Sequence, residues 1–325
     1  MTPLEGRTAA VIGAGTIGVS WAVLFAAHGM RVRVCDPRED AAQVVEQSVR
    51  QFAGTLPGGA RDADELLTRI DVVAQDEAVD GADVVQENGP ERLELKQGLF
   101  ADVERVAPQD ALLLSSTSGL MPSDMSRRMT DPGRLLVGHP FNPPHVVPLV
   151  EVVPGERTTP EQLQAAVDFY TALGKQPVAL HREIGGFVAN RLQSALFRES
   201  VHLVLSGVVT AQELDRVVTE SVGVRWATAG PFESYSLGGG PGGIRHLLEH
   251  LGPGMARRWK DLGEPELTPE VVDALSTATE ERFAGQSYEE RTVQRDRLQL
   301  AVIAAREQVA QQQAGPTGTG AAPGS

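Results

Sequence analysis

The chain has 325 residues, with 29 basic and 43 acidic side chains giving a formal net charge of −14. That charge argues against nucleic acid and anionic membrane surfaces as partners, because both require a basic face. The single cysteine, Cys35, excludes an intrachain disulfide framework and a Cys/His metal cluster, and it fits a reducing, cytoplasmic setting.

The length allows two domains with cores of their own. No run approaches the ~18–20 uninterrupted apolar residues of a membrane span, and no signal peptide is expected ahead of the first strand. The run from Ala9 to Asp36 reads as a strand over Ala9–Ile12, a glycine turn, a helical pattern over Thr16–His28 and a second strand over Arg31–Cys35. Gly13, Gly15 and Gly18 form G-x-G-x-x-G in the strand–turn–helix context that this pattern requires. The first glycine permits the tight turn, the second lets the backbone approach a pyrophosphate, and the third lets helix and strand pack closely. The phosphates would lie on the helix N-terminus, at Gly15, Thr16, Ile17 and Gly18, where unpaired amides and the dipole favour an anion. Asp36 follows Gly18 by 18 residues and ends the second strand, where an acid accepts the adenosine ribose hydroxyls and repels a 2′-phosphate. NAD is therefore the expected cofactor, with Arg38 as a cation that could offset part of that repulsion.

Further strands are predicted at Asp71–Val73, Asp83–Gln86, Ala111–Ser115, Leu135–Gly138, Leu149–Val153 and Pro177–Ala179. Helical patterns between them include Arg92–Val106 and Pro160–Leu173, the latter stopped by Gly174. This alternation is that of an α/β, doubly wound sheet. After Gly185 and Gly186 the pattern is helical only: Phe187–Ser206, Ala211–Ser221, shorter pieces, and a long helix over Tyr288–Gln311. The division expected is 1–185 for a dinucleotide-binding domain, 186–311 for an all-helical substrate and dimerisation domain, and 312–325 for a disordered Pro/Gly-rich tail. The apolar helix Phe187–Leu205 needs a partner, so a homodimer through the helical domain is expected. Only Lys96, Lys175 and Lys260 are lysines, which makes each retained lysine worth attention.

An enzyme that moves hydride from an alcohol needs a base for the hydroxyl proton and a group to orient that base. In GHPFNPPHVVPLVEVV, His139 ends one strand and Glu151 lies 12 residues later on the next. The proline-rich Pro140–Pro148 loop could turn the chain and bring them together. Histidine titrates in the right range, and a carboxylate on its far nitrogen would fix the tautomer and stabilise the imidazolium. Taken alone, a structural histidine and a surface glutamate explain the pair as well.

The motifs SSTSGL, HPFNPP, LVEVVP, GFVANRLQ and GPFE, in this order behind G-x-G-x-x-G, resemble the 3-hydroxyacyl-CoA dehydrogenase superfamily from about Thr8 to the helix around Leu300. The resemblance implies a Rossmann-type NAD domain, with His139 as catalytic base and Glu151 as its partner. It implies that Ser118 and Asn190 hydrogen-bond the substrate's reacting oxygen. It matches Glu87 and Asn88 to an acidic-Asn pair beside the nicotinamide, and Lys96 to a lysine near the cofactor ribose. As a plain helix residue, Lys96 would instead be a surface cation. Asn142 is taken to line the same pocket.

Two features depart from the acyl-CoA enzymes of that superfamily. The segment Glu39–Ile70 is short and holds six acids against three arginines, where those enzymes carry a lysine-rich hairpin for the CoA phosphates. Their HFFNP with a following lysine is here HPFNPPHVVPLVEVV. The stretch Arg225–His246 resembles the L-gulonate 3-dehydrogenase/lambda-crystallin and carnitine 3-dehydrogenase groups, which oxidise small polar acids. Arg225 and Arg245 are candidate carboxylate clamps, since guanidinium binds carboxylate bidentately. Trp226 and Tyr235 offer aromatic faces to a quaternary ammonium. The expected function is NAD-dependent interconversion of a 3-hydroxy and a 3-oxo group on a small polar acid. The alternatives are a ketoreductase for a 3-oxo polyketide or acyl-thioester intermediate and, outside catalysis, a dinucleotide-binding structural or sensor protein of the crystallin kind.

Overall fold

The fold is built on a sheet whose central strands are buried on both faces, as a sheet covered by helices requires. A computed structural model of the chain describes residues 4–314. Among them the strands are β1 (Thr8–Ile12), β2 (Arg31–Cys35), β3 (Ile70–Val72), β4 (Val84–Glu87), β5 (Leu112–Ser115), β6 (Leu135–Pro140), β7 (Leu149–Val153) and β8 (Gln176–Ala179). They form one sheet in the order β3-β2-β1-β4-β5-β6-β7-β8. Every neighbouring pair is parallel except β6–β7, which is antiparallel. The chain order changes direction between β1 and β4, and ligands of such sheets bind at the carboxyl ends of the strands beside that switch.

The helices of this unit are α1 (Thr16–Ala27), α2 (Ala41–Phe52), α3 (Ala63–Leu67), α4 (Gln75–Val79), α5 (Leu93–Val106), α6 (Pro122–Met125) and α7 (Pro160–Ala172). Helix α1 is apolar nearly all round and is buried from Gly18 to Ala26. Helix α2 is amphipathic, burying Ala41, Val45, Val49 and Phe52. Helix α7 starts at Pro160 behind a reciprocal cap: Thr159 accepts the Gln162 amide, and the Gln162 side chain accepts the Thr159 amide. Trp21, Phe25, Phe169 and Tyr170 stack between α1 and α7 with ring centroids 5.3–5.7 Å apart.

The chain divides into two compact units between Arg191 and Leu192, inside helix α8 (Ala189–Leu205). Helix α8 does not begin at Phe187 as the pattern predicts. Phe187 has φ of +51°, left-handed backbone that no helix accommodates, so the helix starts two residues later.

The second unit is helical throughout its described residues: α9 (Ala211–Val217), α10 (Gly223–Thr228), α11 (Pro231–Gly238), α12 (Gly243–Asp261), α13 (Pro269–Arg282) and α14 (Tyr288–Ala314). The single helix expected over Ala211–Ser221 is interrupted by a wide, π-type turn over Val218–Val222. A Cβ on Gly223 would lie 2.8 Å from the Val218 carbonyl, so glycine is what lets that carbonyl close in. The long last helix includes residues 312–314, which the sequence assigns to a tail, and the remainder of that tail lies outside the described residues. Among the described residues no helix is long and apolar enough to cross a membrane.

Candidate active site

The glycine turn is shaped by its own packing. Gly13 has φ of +95°, and a Cβ there would come within 2.9 Å of the Asn88 carbonyl. A Cβ on Gly18 would overlap the Gly13 carbonyl. Gly15 differs, since nothing lies within 4 Å of its would-be Cβ. The first and third glycines therefore serve the chain itself, and the second leaves exposed backbone that a ligand can approach. Helix α1 begins there with no acidic residue in its first turn and no side-chain cap, so an anion meets no competitor at its N-terminus. This cradle fits the pyrophosphate of a dinucleotide.

Asp36 closes the cradle. Its Oδ2 accepts the Ala14 amide at 2.7 Å, and its Oδ1 accepts the Arg38 amide at 3.0 Å and Arg38 Nε at 2.8 Å. Partial burial pushes the carboxyl up, but the hydrogen bonds from Arg38 and Ala14 outweigh it and hold the group below the usual carboxylate range. The Arg38 guanidinium is committed to Asp36 and to the Ala14 carbonyl at 2.9 Å.

The end of β4 holds the opposite wall. Glu87 is 0% exposed and Lys96 1%, and the ammonium lies 2.6 and 2.7 Å from the two carboxylate oxygens. Lys96 is thus not a surface cation, because α5 turns it inward onto Glu87. The same carboxylate accepts Ser115 Oγ at 2.6 Å and the Gly89 amide at 2.5 Å. Glu87 and Lys96 brace the Asn88–Glu91 loop from below. Asn88 Oδ1 accepts Ser116 Oγ at 2.7 Å, and Ser116 in turn accepts Trp21 Nε1 and Gln86 Nε2 at 3.1 and 2.9 Å. Tyr170 donates to Gln86 Oε1 at 2.7 Å.

The antiparallel β6–β7 ladder sets His139 directly opposite Glu151. Nδ1 lies 2.8 Å from Glu151 Oε2, and both side chains are buried. Glu151 Oε1 accepts the amides of Val188 and Ala189, each at 2.9 Å, at the start of α8. Burial pushes the carboxyl up, but the hydrogen bond from His139 and the two amides bring it below its ordinary value. An ionised carboxylate only accepts, so Nδ1 carries the proton and Nε2 is left as the basic nitrogen. Phe141 and Phe187 flank the imidazole at 4.7 and 5.4 Å between ring centroids.

Asn190 follows directly on the amides that hold Glu151, and its Nδ2 donates to the Ser118 carbonyl at 2.9 Å. Glu91 Oε1 accepts the Ser118 amide at 2.7 Å and the hydroxyls of Thr117 and Ser118 at 2.6 and 3.2 Å. Burial pushes the Glu91 carboxyl up, but these bonds and the Lys96 charge hold it below its usual range. His139, Glu151, Asn190, Ser118 and Glu91 thus form one connected set. Sequence reasoning missed Glu91 and Ser116; only the density of polar residues in QENGPE and SST signalled them. Asn142 is exposed in the loop after β6. In the second unit Arg225 and Trp226 lie on α10 and Arg245 on α12, all exposed, with Arg245 3.8 Å from Glu249.

Two family models match the chain. Residues 8–184 match the 3-hydroxyacyl-CoA dehydrogenase NAD binding domain, and residues 186–285 match the 3-hydroxyacyl-CoA dehydrogenase C-terminal domain. An L-carnitine dehydrogenase of Nocardiopsis dassonvillei is 43% identical over 311 residues, covering 95% of this chain and 94% of that one. A 3-hydroxyacyl-CoA dehydrogenase of Gibberella moniliformis is 39% identical over 313 residues, covering 94% and 97%. Among solved structures, the NAD+-dependent 5-formyl-3-hydroxy-2-methylpyridine 4-carboxylic acid 5-dehydrogenase superposes with a TM-score of 0.77 at 27% identity, covering 93% of this chain and 99% of that one.

Proposed function

The chain belongs to the 3-hydroxyacyl-CoA dehydrogenase family and is an NAD-dependent oxidoreductase acting on a 3-hydroxy group; from that premise we propose a substrate and a role for each residue of the site. The substrate is a small 3-hydroxy acid bearing a quaternary ammonium, of the carnitine kind. Relatives named L-carnitine dehydrogenase at about 40% identity over most of the chain support this reading. So does the acidic segment 39–70, which disfavours the phosphates of a CoA ester. The observation that carries the chemistry is the buried 2.8 Å contact between His139 and Glu151.

In the oxidation direction His139 Nε2 takes the proton of the substrate hydroxyl. Glu151 stabilises the imidazolium without itself becoming protonated. Asn190 and Ser118 donate to the oxygen as it becomes a carbonyl; Ser118 turns its one hydroxyl hydrogen from Glu91 to the substrate, while Glu91 keeps hold of the Ser118 amide. NAD, when bound, supplies the hydride acceptor. Its pyrophosphate is held by Gly13, Gly15, Thr16, Ile17 and Gly18, and its adenosine ribose by Asp36. Glu87 and Lys96 serve the cofactor through the loop they brace, and Asn142 lines the same pocket. Arg225, Arg245 and Trp226 are the candidate contacts for the carboxylate and ammonium of the substrate. In reduction the imidazolium returns the proton.

The test is a panel of carnitine, gulonate, 3-hydroxybutyrate and its CoA ester, each with NAD and NADP. The highest kcat/KM is expected with carnitine and NAD. Preference for the CoA ester would replace the proposed substrate with an acyl-thioester, and inactivity with all four would point to a bulkier 3-oxo intermediate or to no catalysis.

We further propose that two copies associate through the helical unit. Leu192 and Phe197 on α8, Leu237 on α11 and Leu251 and Trp259 on α12 are large apolar side chains left exposed, more than a single soluble chain ordinarily presents. Light scattering is expected to give twice the chain mass, and a monomeric mass would remove this proposal.

A further inference from the structure

The Pro140–Pro148 loop joins the two strands whose ladder sets His139 opposite Glu151, and two buried groups hold that loop. His145 is fully buried. Its Nδ1 lies 2.7 Å from Ser20 Oγ on α1, which also accepts the His145 amide at 2.9 Å, and its Nε2 lies 2.9 Å from Thr55 Oγ1. Thr55 gives its only hydroxyl hydrogen to the Phe52 carbonyl. It therefore accepts from Nε2–H.

The second group is Lys175, in the turn between α7 and β8. It is buried, its ammonium donates to the carbonyls of Pro144 and Val147, and it lies 5.8 Å from the centroid of the Trp21 ring. Its backbone is tied on both sides: the Lys175 amide donates to the Tyr170 carbonyl at 3.0 Å, and the Gln176 amide donates to the Pro148 carbonyl at 2.8 Å. The side chain thus reaches from a fixed strand end into the middle of the loop. An apolar residue would fill the same space without the expense of desolvating an ammonium. What the amino group adds is two hydrogen bonds to backbone carbonyls in a proline-rich segment that has few amides of its own, and both its charged and its neutral form carry the two N–H groups these need.

We propose that Lys175 is a positioning residue for the dyad: by holding the Pro144 and Val147 carbonyls it sets the path of the loop between β6 and β7, and with it the contact between His139 and Glu151. The inference rests on the dyad reading above. The Lys175 ammonium faces the Pro144 and Val147 carbonyls and the Trp21 ring, the titratable His145 adjoins Pro144 in the same loop, and no carboxylate forms an ion pair with Lys175 among the described residues. Burial alone lowers the ammonium from its usual 10.5 to about 7. Burial also raises the Tyr170 phenol, which stays neutral.

The experiment compares wild type with Lys175→Met and Lys175→Gln. Both variants are expected to lose about tenfold or more in kcat, as a displaced catalytic group does, with KM for NAD unchanged. Without any substrate, the low-field proton NMR signal of His139 Nδ1–H, identified by its absence in His139→Gln, is expected to shift or vanish. Melting temperatures add a signature that loss of packing alone would not give. In the window from about pH 7 to about pH 10.5 the unfolded chain holds the proton that folded Lys175 releases, so wild type gains stability relative to Lys175→Met as pH rises from about 6 to about 9. An unchanged low-field signal together with kcat within about twofold of wild type overturns the proposal. If Lys175→Met does not fold, the same readings on Lys175→Gln decide. Inactivity of wild type toward every 3-hydroxy acid would refute the dyad's role and leave the NMR outcome to judge Lys175.

Discussion

The His139→Gln variant is expected to lose about 10²–10⁴-fold in kcat, the usual contribution of a general acid–base group, with NADH affinity unchanged. The two halves of that expectation rest on different parts of the chain. The cradle is made by Gly13–Gly18 and Asp36 at the ends of β1 and β2, whereas His139 is on β6 and touches none of them. The imidazole is already held by Glu151 and flanked by two phenyl rings, so removing its basic nitrogen takes away proton transfer without releasing a mobile element. Steady-state kinetics with NADH fluorescence titration read both quantities. Unimpaired turnover would end the mechanism, and a parallel loss of NADH binding would mean that the substitution disturbed more than the base.

Glu151→Gln is expected to cost a comparable factor in kcat for a different reason. Glu151 Oε1 accepts two backbone amides from the start of α8, so the oxygen of a glutamine must take that side. Its NH2 then faces His139 Nδ1, which can pair only as an acceptor. The proton moves to Nε2, the nitrogen that must be free to take a proton from the alcohol. A fall of about 10²–10⁴-fold in kcat follows. A drop in stability of about 1–3 kcal/mol at neutral pH accompanies it, because a charged acceptor is lost from a buried network. The sign is checkable. Folding lowers the Glu151 carboxyl, so its contribution is present above the ordinary carboxylate value and is lost as pH falls through the folded value. The melting difference between variant and wild type should therefore shrink in acid. A variant that melts lower but turns over normally would contradict the tautomer argument.

What could be read from the residues alone follows how local the physics is. The β1–α1–β2 unit was legible because turn, helix start and acid lie within one stretch and each glycine has a steric reason to be there. His139 and Glu151 were legible as a pair because only a short loop separates them. Lys96 was ambiguous for the opposite reason. Its spacing sets it on the buried stripe of α5, four residues before Phe100 and seven before Val103, but lysine as a residue type points to solvent, and only the placement of β4 beside that helix makes it the buried partner of Glu87. Glu91 was invisible as a functional group, and Lys175 was marked only by the scarcity of lysine, because their partners, the Ser118 amide and the Pro144 and Val147 carbonyls, are backbone atoms with no residue signature. The break at Val218–Val222 and the start of α8 at Ala189 depend on single residues, Gly223 and Phe187, whose backbone geometry no periodicity reveals. The reversed direction of β7 was foreshadowed by the same short loop, since Pro140–Pro148 turns the chain and is too short for the crossover that parallel neighbours need.

That reversal has a consequence for how the enzyme comes into being. Where parallel neighbours need a long crossover before they meet, an antiparallel pair closes through its own loop, here across a separation of 12 residues. Closure entropy grows with loop length, so bringing His139 to Glu151 asks little of the chain. The nucleotide cradle asks far more, because Asn88 meets the glycine turn across a separation of 76 residues. The acid–base pair is therefore a local cassette, and the fold around it is what gives the cassette a cofactor to work with.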